Sequence, residues 1–258
     1  MPELVILSGP SCAGKSPLFR ALRQLYPQYA QNFAKLVLFN DRAPRPGEEE
    51  GRDYYFRSRH EIEELRGRKD YLVIEVRNDL QAVHLPEIRE ILDSGKNAFY
   101  EGAPYVAGAL RNEPSLKDIT KVSVFLSPLS REEIQFFSNP ELRVELNKMI
   151  TSLMRKKLLR RKRKQIEILS LPDLEDIETR CSAAFRELQE AWKFDYVIPN
   201  HDGEDSGNWT DFHYPIGEAR KAVHAFASIL MHQPLPWVEK WEKHLIQEPS
   251  HLPITLKG

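Results

Sequence analysis

The sequence predicts an α/β fold, a parallel sheet flanked by helices, and three observations carry that reading. Leu4-Val5-Ile6-Leu7 is a short, continuous apolar run, the mark of a strand covered on both faces. Gly9-Pro10-Ser11-Cys12-Ala13-Gly14-Lys15-Ser16 follows directly, and then a helical pattern with Leu18, Leu22 and Leu25 on one face. Further short strands read at 35–40, 71–76, 97–100, 122–126 and 195–198, with helical patterns among them at 61–66, 85–92 (stopped by Gly95) and 216–231.

Strand, glycine loop and helix, with the spacing G-x-x-x-x-G-K-S, define a P-loop and make the sheet one of the P-loop NTPase type. The spacing has a physical reason. Glycines let successive backbone N–H groups turn inward on a phosphate, and the helix N-terminus adds positive dipole. Gly9, Ser11, Cys12, Ala13, Gly14, Lys15 and Ser16 form the cradle, with a nucleoside triphosphate the expected ligand. Lys15 is expected to reach the β- and γ-phosphates catalytically, and the Ser16 hydroxyl to ligate Mg²⁺. If position 12 needs positive φ, cysteine strains the loop there. Pro17 falls in the first helical turn, where a missing N–H costs little, and Pro27 ends that helix.

The totals bound the function class. The 258 residues suit one large core with excursions. Charged residues are 29% but the net charge is −1, so nucleic-acid binding is not expected and any anion site is local. Two cysteines, Cys12 and Cys181, make no disulfide framework and point to a reducing, cytoplasmic setting. There is no basic n-region, and no apolar run approaches a membrane span, so no membrane partner is expected.

Residues 41–56, DRAPRPGEEEGRDYYF, are kept extended and turning by proline and glycine. Arg42 and Arg45 can converge on one dianion through forked guanidinium bonds, and Tyr54 or Tyr55 can add a hydroxyl. Composition alone reads the stretch instead as an exposed loop whose arginines pair with Glu48, Glu49 and Glu50. A strand ending in L-S-G-P-S-x-x-G-K-S, followed by R-x-P-R-x-G-E-x-x-G-x-D-Y-x-F, resembles guanylate kinase. The resemblance is strong over residues 3–60 and weaker through 121–128, 176–188 and 195–200.

The resemblance implies a nucleoside monophosphate kinase that uses ATP and Mg²⁺, with GMP or dGMP as acceptor. It gives the acceptor phosphate to Arg42, Arg45 and Tyr54, a guanine contact to Glu75, and a place near the metal to Glu101. Asn200 falls near the adenine. One of Arg160, Arg161 and Arg163, with Arg163 standing for the three, and Arg180 on the lid-return helix are the implied catalytic arginines, neutralising transition-state charge. The chain also departs from the pattern. Glu101-Gly102-Ala103 replaces D-x-D, residues 78–83 replace N-Y-x-G-[ST], and a serine is lost within Val37-Leu38-Phe39. The phosphate-handling half is kept and the base-reading half rewritten, which undermines selection of guanine. Two alternatives stand beside the kinase reading: a non-catalytic nucleotide- or peptide-binding module, and a kinase for another phosphorylated acceptor that differs at Glu75, Gln81 and Ala103.

The expected division is a core over 1–38, 94–129 and 181–231, a monophosphate-binding subdomain over 39–93, a helical lid over 130–180 and an extension over 232–258. Ser130 and Glu133 start a lid helix, and Leu142, Leu146, Met149, Ile150 and Leu153 form an inserted apolar stripe. Residues 155–164 hold eight basic residues in ten, either a solvated helix face or a phosphate clamp. Leu171-Pro172-Asp173 reads as a break before a helix over 174–192. Trp237 and Trp241, four apart on a short helix, offer an anchor for a second copy or a protein partner.

Overall fold

A computed structural model describes residues 1–45, 47–234 and 237–246. Its strands are β1 (Leu4–Ser8), β2 (Phe33–Lys35), β3 (Leu38–Asn40), β4 (Tyr54–Phe56), β5 (Tyr71–Val76), β6 (Asp79–His84), β7 (Asn97–Gly102), β8 (Lys121–Ser127) and β9 (Tyr196–Pro199). The helices are α1 (Lys15–Leu25), α2 (Pro27–Ala30), α3 (Arg59–Glu63), α4 (Leu85–Asp93), α5 (Pro104–Asn112), α6 (Arg131–Phe137), α7 (Leu146–Gln165), α8 (Leu171–Leu188) and α9 (Gly217–Leu230).

Five strands make a parallel sheet in the order β2-β7-β1-β8-β9. β1 is buried along its whole length. Leu4 and Ile6 join one apolar cluster with Tyr100, Phe125 and Ile134, and Val5 and Leu7 join another with Leu18, Phe99 and Phe226. Burial on both faces is why the strand reads as unbroken hydrophobicity. The parallel register brings Ser8, Gly102 and Phe125 together at one sheet edge, and the phosphate loop leaves from there. Ligands of open α/β sheets bind at that edge.

The second sheet, β4-β3-β6-β5, is mixed: β3 and β4 run parallel, and β6 is antiparallel to both β3 and β5. Its faces alternate with period two. Phe39, Leu80, Ala82, Tyr71 and Val73 pack around Ile62 of α3. Leu38, Leu72, Ile74, Val76 and Val83 turn the other way, into the main core.

Several boundaries differ from expectation. The strand expected at 35–40 is two strands, because Leu36 N–H makes a last link to Phe99 C=O (2.9 Å) before the chain crosses into the small sheet. Leu171-Pro172-Asp173 starts α8 rather than breaking the chain. Ser170 and Asp173 form a reciprocal capping box there, and Pro172 sits in the first turn. Leu142 lies outside α7 and is 39% exposed, so the apolar stripe begins at Leu146. α5, with Pro104 in its first turn, had no expectation.

Trp237 and Trp241 do not share a helix. Trp237 has φ 62° and is 53% exposed, whereas Trp241 is buried. Between them Glu239 pairs antiparallel with Val197, capping the free edge of β9. The rest of the expected extension, 235–236 and 247–258, lies outside the described residues. No described helix is long and apolar enough to cross a membrane.

Candidate active site

The loop between β1 and α1 is shaped by close approaches. A Cβ at Gly9 (φ 144°) would stand 2.3 Å from the Leu126 carbonyl oxygen, and one at Gly14 (φ 101°) 2.7 Å from Asn200 Nδ2. Cys12 has φ 63°, so this position does ask for left-handed backbone and cysteine carries the strain there. Burial, reinforced by Glu204, pushes its thiol up to about 12. Lys15 folds back over the loop and donates to the carbonyls of Gly9 (2.9 Å) and Pro10 (2.7 Å). Burial lowers its pKa, against the opposing pull of Glu204 and Glu101. Ser16 Oγ hydrogen-bonds Glu101, which the β1–β7 register sets beside Leu7. A hydroxyl and a carboxylate side by side are hard oxygen donors of the kind Mg²⁺ takes together with phosphate and water.

Across the cleft, Arg42 makes a forked pair with Glu48 (2.7 and 2.7 Å), and its guanidinium lies 5.1 Å from the Tyr54 ring centre. Glu48 also accepts from the Arg45 N–H at 2.8 Å. Burial would raise the Glu48 pKa, but these bonds hold it below the usual carboxylate range. The pairing expected from composition is therefore present for the Arg42 guanidinium and not for that of Arg45, and it fixes Arg42 in place at the cleft. Arg45 reaches Asp176 of α8 at 2.9 Å. The Tyr54 hydroxyl makes no hydrogen bond among the described residues. Arg42, Arg45 and Tyr54 line the same cleft as Gly9, Lys15, Ser16 and Glu101.

Helices α7 and α8 close the third side. Arg180 donates to Ser11 Oγ (3.1 Å) and to Asp176 (3.1 Å), and burial together with neighbouring Arg45 pulls its pKa down to about 10. Arg161 lines the cleft and stands 3.5 Å from Glu204. Arg163 does not: it is exposed, on another face of α7. Buried Lys157 and Leu158 define the inward face, and Arg161 follows them at helical spacing. The remaining basic residues mostly tie α7 to its neighbours. Arg155 forks onto Glu178, Lys162 meets Asp173, and Lys157 and Lys164 donate to the carbonyls of His201 and Asp205.

Two further expected site residues stand outside the cleft. Glu75 is cross-strand partner to Leu80, on the α3 face of the small sheet, and its side chain is 64% exposed beside Arg59. It does not line the cleft. Asn200 is fully buried behind the loop and donates to the carbonyls of Ala13 (2.8 Å) and Asp202 (2.6 Å). It braces the loop and does not line the cleft.

Four polar cleft residues escaped sequence reasoning as a site: Arg77, Asp79, Gln81 (raised only as a point of difference) and Glu204. Arg77 sits at the β5–β6 turn with φ 59° and donates to Ser11 Oγ (2.9 Å) and to fully buried Glu187 (2.7 Å). An acid on the apolar face of α8 was the available signal. Burial raises the Glu204 pKa, yet Arg161, Lys15 and Arg180 hold it below normal. Nothing in its local sequence, a polar Gly/Asp loop, marks it.

The family model for guanylate kinase matches residues 1–157. The guanylate kinase of Trichormus variabilis is 30% identical over 203 residues, covering 78% of this chain and 84% of that protein. That of Lactococcus lactis is 35% identical over 133 residues, covering 51% and 61%. Among solved structures, guanylate kinase from Anaplasma phagocytophilum has a TM-score of 0.52 at 20% identity, covering 90% of this chain and 85% of that one. This last likeness is one of fold.

Proposed function

The chain belongs to the guanylate kinase family, and from that premise we propose that it transfers the γ-phosphoryl group of ATP to a phosphate-bearing acceptor. GMP and dGMP are the acceptors the family implies, and the cytoplasm the implied setting. One observation carries the reading: the phosphate loop with Lys15 and Ser16 faces Arg42, Arg45 and Tyr54 across a single cleft, with Arg161 and Arg180 beside them.

ATP and Mg²⁺, when bound, supply the phosphoryl group and part of the charge neutralisation. Ser16 and Glu101 are the residues that would hold the metal. The protein's own work is positioning and electrostatics, as phosphoryl transfer requires. Arg42, Arg45 and Tyr54 hold the acceptor dianion, which carries no proton to be removed. Lys15, Arg161 and Arg180 offset charge that builds between donor and acceptor.

ADP release from MgATP, with GMP and dGMP as first acceptors, tests the proposal. Lys15→Ala should lower turnover by about 10²–10³-fold. Wild-type turnover in that variant would overturn the assignment.

A further inference from the structure

Resting on this phosphotransfer reading, we infer that Arg77 is a further catalytic residue, set between donor and acceptor to offset the charge of the transferring phosphoryl group, and that Glu187 is its positioning residue. Arg77 stands where the two sides of the cleft meet. It belongs to the small sheet, in the two-residue turn between Val76 and Asp79. Two positions on, Asp79 Oδ2 lies 3.8 Å from Nε of Arg42, on the acceptor side. Arg77 Nη2 reaches the other way and donates to Ser11 Oγ in the phosphate loop at 2.9 Å. The same hydroxyl accepts from Arg180 Nε at 3.1 Å. Two guanidinium groups, from the small sheet and from α8, thus converge on one atom of the loop that cradles the donor. Both line the cleft with Lys15, Arg42 and Arg45. A neutral hydroxyl cannot offset two positive charges. A transferring phosphoryl group, with its charge spread over three oxygens, can. Burial is the larger cause of the lowered pKa of Lys15 and of Arg180, and the nearby charge of Arg77 adds to it in both. Cations held this close repel, and an anion between them removes the penalty.

The Arg77 guanidinium also has donors to spare. Nη2 serves Ser11 and Glu187 (2.7 Å), Nη1 makes no hydrogen bond among the described residues, and Nε is buried and unpaired. Buried donors are normally paired, and a phosphate oxygen is the acceptor a guanidinium fits best. The backbone points the same way. Arg77 has φ 59° at the first position of its turn, a place glycine takes more easily. Strain of this kind persists only where the surroundings hold it, and it gathers at active sites. Glu187 does the holding: it is fully buried on α8, and Arg77 is its one ion-pair partner among the described residues. In the transfer, an oxygen of the acceptor phosphate attacks Pγ, and the bond from Pγ to the ADP oxygen breaks with its electron pair leaving on ADP. Arg77 gives up no proton; its spare N–H groups bond the phosphoryl oxygens as the charge moves.

The test is ADP release from MgATP and GMP by wild type and three variants. Arg77→Lys keeps a charge for Glu187, but a compact ammonium cannot fork between carboxylate and phosphoryl group, so kcat should fall about tenfold or more. Arg77→Met with Glu187→Leu removes the charge without stranding a buried carboxylate, and kcat should fall about 10²-fold or more. In both, KM for GMP and for MgATP should stay within about threefold. Calorimetric affinity for MgADP, aluminium fluoride and GMP together, a mimic of the transferring group, should fall with kcat. Glu187→Gln, which keeps Arg77 and the shape of its partner, should lose less than the double variant. Wild-type kcat in either Arg77 variant, a loss taken wholly by KM, or a mimic bound as tightly as by wild type would overturn the inference. So would a loss in Glu187→Gln equal to that of the double variant, which would trace the effect to the fold. Failure of the phosphotransfer reading looks different: wild type itself releases no ADP with GMP or dGMP, and the inference falls with it.

Discussion

Cys12 shows how backbone geometry governs the phosphate loop. Its φ of 63° costs a side chain with a Cβ about 1–2 kcal/mol, which glycine would not pay. Glycine would instead lose about 0.5–1 kcal/mol to unfolded-chain entropy and give up a buried thiol. These terms nearly cancel, so Cys12→Gly should leave stability within about 1 kcal/mol of wild type. Cys12→Val, β-branched in the left-handed region, should lose more than about 2 kcal/mol. Chemical denaturation of the two variants checks the ordering; equal stability would show that the loop relaxes around position 12. The loop was legible in the sequence because all its determinants are local: spacing, glycines and the flanking strand and helix. Glu75 was not, because which face a strand residue takes depends on register with a partner, and that partner, β6, had no expected pattern.

At the scale of elements, the β5–β6 hairpin is fastened to the core by one buried ion pair. Arg77 at the turn meets Glu187 of α8 at 2.7 Å, with the two side chains 15% and 0% exposed. Each keeps an unpaired buried atom, Arg77 Nε and Glu187 Oε2, so the pair is incompletely satisfied. Such a pair fixes geometry more surely than it adds stability. Arg77→Met should cost about 3–5 kcal/mol, because Glu187 is left charged and alone. Arg77→Met with Glu187→Leu should recover most of that loss, and a double-mutant cycle in denaturant measures it. If the double variant is no more stable than the single, Glu187 is not the cause. The same scale explains the lid arginine. The helix and its basic run were legible, but which residue faces the cleft is set by the helix's rotation about its axis. Buried Lys157 and Leu158 fix that rotation, and they favour Arg161 over Arg163.

Across the whole molecule, Asp176 joins what the chain separates. Its carboxylate accepts from Arg45 of the loop before β4 at 2.9 Å and from Arg180, one turn on along α8, at 3.1 Å. Sequence reading found both arginines but not their shared acid, because the contact spans 131 positions. Burial would raise the Asp176 pKa, yet Arg180 and Arg45 outweigh it and hold the group below the usual range. The sign follows from linkage: a depressed carboxyl contributes fully above its unfolded value, about 3.9, and the contribution is lost as pH falls through the folded value. Spin labels on cysteines introduced at exposed Lys69 and Lys156 would report the span between subdomain and lid. In wild type that distance should hold from pH 7 down to about 4 and lengthen on further acidification. Asp176→Asn, which keeps the shape but removes the charge, should lengthen it already at pH 7. It should also weaken the dependence on salt, since a charged pair has been removed. A distance at pH 7 identical to wild type would mean that apolar packing of α7 on α8, and not this carboxylate, holds these helices beside Arg42 and Arg45.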